Sequence, residues 1–414
     1  MLVLGRHPEV KRRPVCLAVM PPFSQHAKRR DWSNIEEFYN PDGFFSAVHI
    51  LSLGDEHSRS QTRFGSVIVH PLKPIGWLRD RSASIYFLVY HVAIASVCAV
   101  VLALRTGADI LLQRYGGPLY HGVACVFAGR LLGRRSVITL QADYGVMARE
   151  RDASSALMRS IETALWKQVV GKSSRIWAVS DSLVSFAEAR GRNRSQVSVI
   201  PNKDYYRDKF QGQPTETEIR QIRHEVFGPQ GTVDPRQIAL TVARLIPVKN
   251  IQAMVDSFAM AAADRPGLGF VIVGAGPLEG QLKEQARNTG LEGRIRFVSF
   301  LPHSRLAILY RISYLLLFPS LSEGQGRVII EAMAAGLPVI GSNYPPFTDV
   351  IVDGENGLLV DPSNTAQIAD AIARLVDDRV LRDRLARACP GIASKYEVAS
   401  VNRQEVEFFR SVLR

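Results

Sequence analysis

The sequence predicts an α/β fold built from two doubly wound, mostly parallel sheets. Three observations carry this reading. At 414 residues the chain exceeds what one ordinary core holds, so two domains are the default. Short apolar runs alternate with helical stretches along the chain, the pattern of strands that cross over into helices covering both faces of a sheet. A polar stretch bearing Pro and Gly, Gln211 to Pro235, divides that alternation into two blocks.

In the first block the strand candidates are Val15–Val19, Val48–Leu53, Ser66–His70, Ile110–Gln113, Ser136–Leu140, Ile176–Val179 and Val197–Ile200. Helices are expected at 33–40, 84–104, 119–132, 154–170 and 181–190. The segment Ser84 to Leu104 is 21 residues without a formal charge, flanked by Arg81 and Arg105. That length can span a bilayer. His91, Ser96 and Cys98 dilute it, however, and a helix stop (Thr106-Gly107) leads at once into the next strand. We read it as a helix buried against the sheet or lying at an interface. The dividing stretch holds one helical piece, Glu216–Phe227. The second block has strands at 238–242, 269–273, 295–298, 314–318, 338–341 and 357–360, and the chain ends in Val401–Leu413, apolar at helical spacing.

Composition narrows the function classes. The chain is 46% hydrophobic and 22% charged, an ordinary globular balance. Cys16, Cys98, Cys125 and Cys389 are scattered, with no CxxC and no Cys/His cluster. This argues for a reducing compartment and against structural zinc. Of the net charge of +12, nearly all lies in residues 1–200, where 26 Lys/Arg face 15 Asp/Glu. Clusters include Lys11-Arg12-Arg13, Lys28-Arg29-Arg30, Arg130/Arg134/Arg135 and Arg190/Arg192/Arg194. A basic face suits an anionic lipid surface or a polyanionic acceptor, or is simply solvated. No nucleic-acid-binding motif accompanies it, so no nucleic-acid partner is expected. The first residues, MLVLGRHPEVKRRP, lack a long apolar run and a cleavage site, so no signal peptide is expected.

The chemistry concentrates in Phe318 to Ser342, FPSLSEGQGRVIIEAMAAGLPVIGS. Glu323 and Glu331 are eight positions apart, with Gly324-Gln325-Gly326 between them. Glycines without a β-carbon let a backbone approach a ligand. Arg327 to Ala335 suits a helix that Gly336 and Pro338 end. A helix N-terminus behind a glycine loop offers free N–H groups and positive dipole density to an anion. Glu331 lies about two turns into that helix, at about 1.5 Å rise per residue. One carboxylate can therefore meet a sugar ring and the other a ribose, with a diphosphate between them.

This segment resembles the E-x7-E motif of retaining, nucleotide-sugar-dependent glycosyltransferases of family 4, which have the GT-B fold. Upstream, Leu240 to Asn250 (LTVARLIPVKN) resembles the family's strand and loop "GRL…KN", Val271 to Leu278 (VIVGAGPL) its second strand-to-helix turn, and Val199 to Asn202 (VIPN) its "IPNG". The resemblance covers roughly Ile176 to Asp361 and is weak before that. Gln325 stands where the family often has Phe, Arg327 where an apolar residue is usual, and Lys203 where Gly is expected. The resemblance implies two Rossmann-like domains facing a central cleft. Residues 1–212 would bind the acceptor and be joined by a C-terminal helix, 396–414. Residues 213–395 would bind the nucleotide sugar.

It implies that Glu323, Arg244 and Lys249 carry the chemistry. Gly274, Gly276, Gly324, Gln325, Gly326, Arg327 and Glu331 would bind the donor, with Glu331 accepting from ribose hydroxyls. All follow the carboxyl ends of expected strands, where doubly wound sheets bind ligands. The leaving diphosphate gains charge that must be neutralised. The chain has no D-x-D pair, and Arg244, Lys249 and the helix start at 324–327 can neutralise it instead, so no metal and no cofactor are expected. On the acceptor side the candidates are Asp143, Tyr144 and Asn202, with a cleft-facing loop at Gly116-Gly117-Pro118.

The expected activity is retaining transfer of a sugar from an NDP-sugar to a glycan or lipid-linked acceptor, in cell-surface polysaccharide or glycolipid synthesis. The expected location is cytoplasmic, at the inner face of an anionic membrane. The alternatives are a non-catalytic membrane-associated scaffold of the same fold and a nucleotide-sugar epimerase. A dinucleotide oxidoreductase is disfavoured, because after Gly274 and Gly276 the third glycine position holds Glu279.

Overall fold

The computed structural model describes residues 12–20, 23, 35–54, 61–73, 85–114, 119–141, 156–203, 214–228, 237–291 and 293–414. The first sheet contains β1 (Val15–Met20), β2 (Ala47–Leu53), β3 (Thr62–Phe64), β4 (Val67–Leu72), β5 (Ile110–Gln113), β6 (Arg135–Leu140), β7 (Arg175–Ala178) and β8 (Val197–Val199). Their order is β3-β4-β2-β1-β5-β6-β7-β8. All neighbours are parallel except the β3–β4 pair, a short antiparallel edge. The second sheet contains β9 (Gln237–Val242), β10 (Leu268–Val273), β11 (Ile295–Val298), β12 (Leu315–Phe318), β13 (Val339–Ser342) and β14 (Gly357–Val360). It is parallel in the order β11-β10-β9-β12-β13-β14.

Both sheets are covered on both faces, which is why their strands read as unbroken apolar runs. Along β1, Leu17 and Val19 join one core while Cys16, Ala18 and Met20 join the other. Along β12, Leu316 and Phe318 go to one side and Leu315 and Leu317 to the other. The period of two is that of a strand whose side chains alternate across the sheet.

Among the described residues the α-helices of the first half include α1 (Ile35–Tyr39), α2 (Ile85–Thr106), α3 (Leu119–Leu131), α4 (Ala156–Lys172) and α5 (Ser182–Glu188). Helix α2 packs on α3, β1 and β2 and buries Ala95, Ala99 and Ala103. Small residues at that spacing let the helix lie close to the sheet. It runs two residues past its expected end, because Thr106 Oγ1 donates to Leu102 O at 2.7 Å before Gly107 turns left-handed at φ 65°. Among the described residues no helix is long and apolar enough to cross a membrane.

The second half adds α6 (Glu216–Phe227), α7 (Ile251–Ala262), α8 (Glu279–Asn288), α9 (His303–Ile312), α10 (Arg327–Ala334), α11 (Thr365–Asp377), α12 (Arg379–Ala393) and α13 (Val398–Leu413). The last of these returns to the first sheet. Its Val401, Phe408, Phe409 and Val412 lie in the same core as Cys16, Ala18, Phe45 and Trp177. Phe409 meets Phe45 edge-on at 4.9 Å between ring centroids. The C-terminal helix is thus part of the N-terminal core.

All four cysteines are free. Burial pushes the thiols of Cys16 and Cys389 up to about 12 and that of Cys125 higher still, so these three are inert apolar side chains rather than nucleophiles.

Candidate active site

The site is built from four loops at the carboxyl ends of β9, β10, β12 and β13. After β9 the chain runs through Ala243, Arg244 and Leu245 to a 3-10 turn, Pro247–Lys249. Asn250 then takes a left-handed conformation, φ 59° and ψ 32°, and starts α7. Asn tolerates this region better than most residues. Its side-chain amide donates to Pro319 O at 3.0 Å and Pro362 O at 2.8 Å, which ties the β9 loop to the loops after β12 and β14.

The β12 loop is held to the same turn. Ser320 Oγ donates to Val248 O at 2.9 Å, and the Leu321 N–H donates to the same oxygen at 2.8 Å. These bonds fix Lys249 against Glu323. Lys249 Nζ donates to Glu323 Oε1 in a close ion pair, and both side chains are largely shielded from solvent. The Lys249 ammonium also lies 5.6 Å from the Phe318 ring centroid. Two residues expected on sequence grounds to act together, 74 apart in the chain, are in direct contact.

Gly274 and Gly276, expected among the donor-binding residues, lie close to the backbone of the β9 loop. A β-carbon on Gly274 would sit 1.8 Å from Ala243 O, and one on Gly276 would sit 2.3 Å from Leu245 O. Gly274 also has φ 149°, a conformation other residues rarely adopt. The two loops are stitched together by Ala243 N–H to Val273 O at 2.9 Å and Leu245 N–H to Ala275 O at 3.0 Å. The glycines therefore set the position of the loop that carries Arg244. Arg244 itself is exposed.

Gly326 adopts φ 69° and ψ 54° as the residue before α10, and Gly336 ends that helix at φ 78°. Arg327 opens α10 and pairs with Glu331 one turn later, at 3.8 Å. Glu331 is buried and accepts from the Tyr310 hydroxyl at 3.2 Å. The carboxylate expected to meet a ribose is thus already anchored on one oxygen, which fixes its orientation. Gln325 is buried too, and its Oε1 accepts from the Asn202 backbone N–H at 2.7 Å. Asn202 accordingly lies at the meeting point of the two halves. Asp143, Tyr144 and the 116–118 loop lie outside the described residues. Among the described residues no group of three or more His, Cys, Asp or Glu is arranged to hold a metal ion.

Two site residues carry no sequence signal of their own. Tyr344 follows β13, donates from its hydroxyl to Ser320 O, and lies close enough to Glu323 to feel its charge. Burial, opposed by a Ser342 hydrogen bond and reinforced by Glu323, pushes its phenol up to about 12, so it stays a neutral donor. Ser320 is the other. Polar residues in loops are common, and only their long-range partners reveal what they hold.

With this geometry in view, comparison with known proteins is specific. Residues 223–390 match the family model described as Glycosyl transferases group 1, so the second half carries a domain of that group. An alpha-D-kanosaminyltransferase of Streptomyces kanamyceticus is 30% identical over 206 residues, half of this chain and 52% of that protein. An N-acetyl-alpha-D-glucosaminyl L-malate synthase of Bacillus anthracis is 27% identical over 332 residues, 78% of this chain and 80% of that protein. The chain thus spans about half the length of the first relative and four-fifths of the second. Among solved structures, Anabaena HepE in complex with UDP and glucose superposes with a TM-score of 0.71 at 18% identity, covering 96% of this chain and 99% of that one. Sucrose-phosphate synthase from Thermosynechococcus elongatus gives 0.71 at 19%, covering 97% and 99%. The fold is that of the GT-B glycosyltransferases, as expected.

Proposed function

We propose that the chain is a retaining, metal-independent glycosyltransferase of family 4 that moves a sugar from an NDP-sugar to a glycan or lipid-linked acceptor. The observation that carries this reading is the Lys249–Glu323 pair set beside the start of α10 at the carboxyl ends of β9 and β12. The relatives named as glycosyltransferases support the reaction class. The second half, residues 213–395, would hold the donor. Residues 1–212 with the returning helix 396–414 would hold the acceptor.

In this reading the nucleotide diphosphate lies between the β9 loop and the N-terminus of α10. Arg244 offers a planar fork and Lys249 a point charge to its oxygens, and the unpaired N–H groups of the helix start add to them. Glu331, oriented by Tyr310 and Arg327, accepts from the ribose hydroxyls. Glu323 accepts from the sugar hydroxyls and holds the ring over the diphosphate. The acceptor hydroxyl attacks the anomeric carbon on the face that the diphosphate leaves. The new C–O bond forms as the bond to the phosphate oxygen breaks. The bonding pair departs with the diphosphate, whose oxygen takes the acceptor proton. The cationic groups stabilise the charge that grows on the leaving group, so no metal ion is required.

We place this reaction in the cytoplasm at the inner face of an anionic membrane, in cell-surface polysaccharide or glycolipid synthesis. The supporting feature is a surface on α2 and α3, which pack against each other. Val97, Val101 and Leu104 form one exposed apolar stripe on α2, and Phe127 and Leu131 another on α3. Arg105, Arg130 and Arg135 are exposed beside them. Apolar side chains rimmed by arginines match the acyl boundary and headgroups of an anionic bilayer.

The test is a panel of UDP-, GDP- and ADP-sugars, read by thermal shift and NDP release in EDTA, with Glu323→Ala as control. One donor that stabilises the protein and is consumed despite EDTA, with release lost in the control, supports the proposal. Stabilisation without release in the presence of membrane-extract acceptors would instead favour a non-catalytic scaffold. NDP release or sugar inversion that needs no acceptor would favour an epimerase.

A further inference from the structure

The loop that carries Glu323 is fastened to the other half of the molecule. Ser180, the second residue after β7, donates from Oγ to Gly324 O at 2.8 Å. Asn202, after β8, donates its backbone N–H to Gln325 Oε1 at 2.7 Å. The bonded partners are 144 and 123 residues apart in sequence. Their two acceptors lie on the residues immediately following Glu323. Ser180 and Gln325 are about 5% and 6% exposed, so water competes little for either bond.

We infer that Gln325 and Ser180 form an interdomain latch that orients Glu323, and that Gln325 is a positioning residue for transfer rather than a donor contact. The inference rests on the transferase reading for its kinetic consequence, but the latch is a physical claim in its own right. Holding the Gly324 carbonyl and the Gln325 side chain fixes the backbone on the C-terminal side of Glu323. The Lys249 pair fixes its carboxylate. Glu323 is then fully oriented only while the two halves are together, so domain closure and assembly of the site become one event. Asp349, from the second half, faces the backbone N–H groups of Asp181 and Ser182 and adds a third contact along the same seam.

The seam itself is thinly packed. A cavity of about 340 Å³ lies along it, lined among others by Ser180, Asp181, Gln325, Asp349, Tyr396 and Gln404. Where two halves meet around a cavity rather than a filled core, a few directed hydrogen bonds decide how they sit. A side chain amide at position 325 can make such a bond, whereas the phenyl ring usual in the resembling family has no acceptor to offer the Asn202 N–H.

The test compares the full chain with Gln325→Ala, Gln325→Glu and Ser180→Ala. Hydrogen exchange of the peptide containing Asn202 reports the latch without reference to activity. We expect the Asn202 amide to exchange about ten times faster in Gln325→Ala, and Gln325→Glu, which keeps an acceptor oxygen, to restore protection. For transfer, kcat falls about ten-fold in Gln325→Ala while the dissociation constant for the nucleotide sugar stays within about two-fold. Ser180→Ala, the milder change, moves kcat in the same direction. Unchanged Asn202 exchange in Gln325→Ala overturns the latch. A weakened donor affinity with unchanged kcat overturns the positioning role and makes Gln325 a donor contact. If the wild-type chain binds no nucleotide sugar, the transferase reading fails and the positioning role fails with it, while the exchange data alone decide the latch.

Discussion

Lys203 Nζ lies 3.0 Å from Glu405 Oε2, and both side chains are about 1% exposed. Glu405 Oε1 is 3.2 Å from Arg114, whose guanidinium sits over the rings of Phe38, Tyr39 and Trp177. One carboxylate on the returning helix α13 thus balances two buried cations, one at the end of β5 and one just after the strand that closes the first sheet. This accounts for Lys203 where the resembling family has Gly: the lysine ties the crossing chain to the C-terminal helix.

Removing that carboxylate takes from two buried cations the ion-pair partner they share, and leaves Lys203 the Glu37 charge. Breaking a buried pair from one side costs about 3–5 kcal/mol. Glu405→Ala is therefore expected to lower unfolding stability by about 3 kcal/mol or more. Lys203→Met, which leaves Glu405 still facing Arg114, should cost clearly less. Guanidinium titrations followed by tryptophan fluorescence give both numbers. Equal losses in the two variants would show that Glu405 does not serve both cations.

A second expectation concerns acid. His49 Nδ1 and His70 Nε2 are 2.9 Å apart on β2 and β4. Burial, with the neighbouring His70 and Arg63 charges, pushes His49 down to about 4, and burial lowers His70 as well. The unfolded chain, with histidines near 6.5, binds more protons than the folded one below that pH. Stability from this pair is present above about pH 6.5 and is lost as pH falls from there towards 4. The unfolding midpoint of the wild type should drop across that window, and His49→Gln should flatten the drop. A parallel pH dependence in the two proteins would remove the pair from the explanation.

Much of the architecture was legible because buried parallel strands announce themselves. Ile110–Gln113 and 295–298 fall where expected, since short apolar runs bounded by turn residues leave little choice of position. The edge strand Thr62–Phe64 was not legible: it is three residues long, partly polar, and exists only by pairing with β4. Strand ends and the resemblance placed Lys249 and Glu323 in one site, because every loop at that edge of a parallel sheet converges, but their direct contact is seen only in the structure. The roles of Gln325 and Lys203 did not follow. Their partners, Asn202 and Glu405, lie 123 residues away and on the last helix, and no local spacing encodes a contact between segments so far apart in the chain. The glycines at 274 and 276 were expected as donor-binding positions, and their tight packing against the Ala243–Leu245 backbone was not legible, because it joins two loops that are distant in sequence.

That close approach can be tested at Gly276. A β-carbon there meets the backbone oxygen of Leu245 at 2.3 Å, and a backbone atom cannot rotate away. Gly276→Ala should displace the loop bearing Arg244 and cost about 1–3 kcal/mol, as overpacking typically does. Its Michaelis constant for the donor should rise together with the loss in thermal midpoint. A variant with wild-type stability and donor affinity would show that the two loops are free to separate.

The α2/α3 surface gives a separate expectation. Each exposed Leu or Phe side chain transferred from water into an acyl boundary gains about 1.5–3 kcal/mol at most. Replacing Leu104 and Phe127 together by Ser should therefore reduce sedimentation with phosphatidylglycerol vesicles by about ten-fold or more, with only a modest loss of thermal stability, because Leu104 is 65% and Phe127 51% exposed. Raising salt should weaken binding of the wild type through Arg105, Arg130 and Arg135. Equal sedimentation with neutral and anionic vesicles, or none with either, would rule out an anionic bilayer as the partner of this face.

Arg244 and Lys249 are proposed to meet the same diphosphate, yet the structure holds them differently, and the difference predicts distinct kinetics. Arg244 is exposed on a loop positioned by glycines, free to fork onto phosphate oxygens. Lys249 is shielded and already engaged with Glu323. Arg244→Lys keeps the charge but loses the planar fork, so donor affinity should weaken while kcat stays within a few-fold. Lys249→Met removes a cation that serves both the leaving group and Glu323. Its kcat should fall by about 10²–10³, the range typical for removing one preorganised stabilising group, with a smaller change in donor affinity. Steady-state kinetics in EDTA, together with calorimetric binding of the nucleotide sugar, separate the two. A Lys249→Met enzyme that turns over normally at saturating donor would mean that the ion pair merely braces the loop.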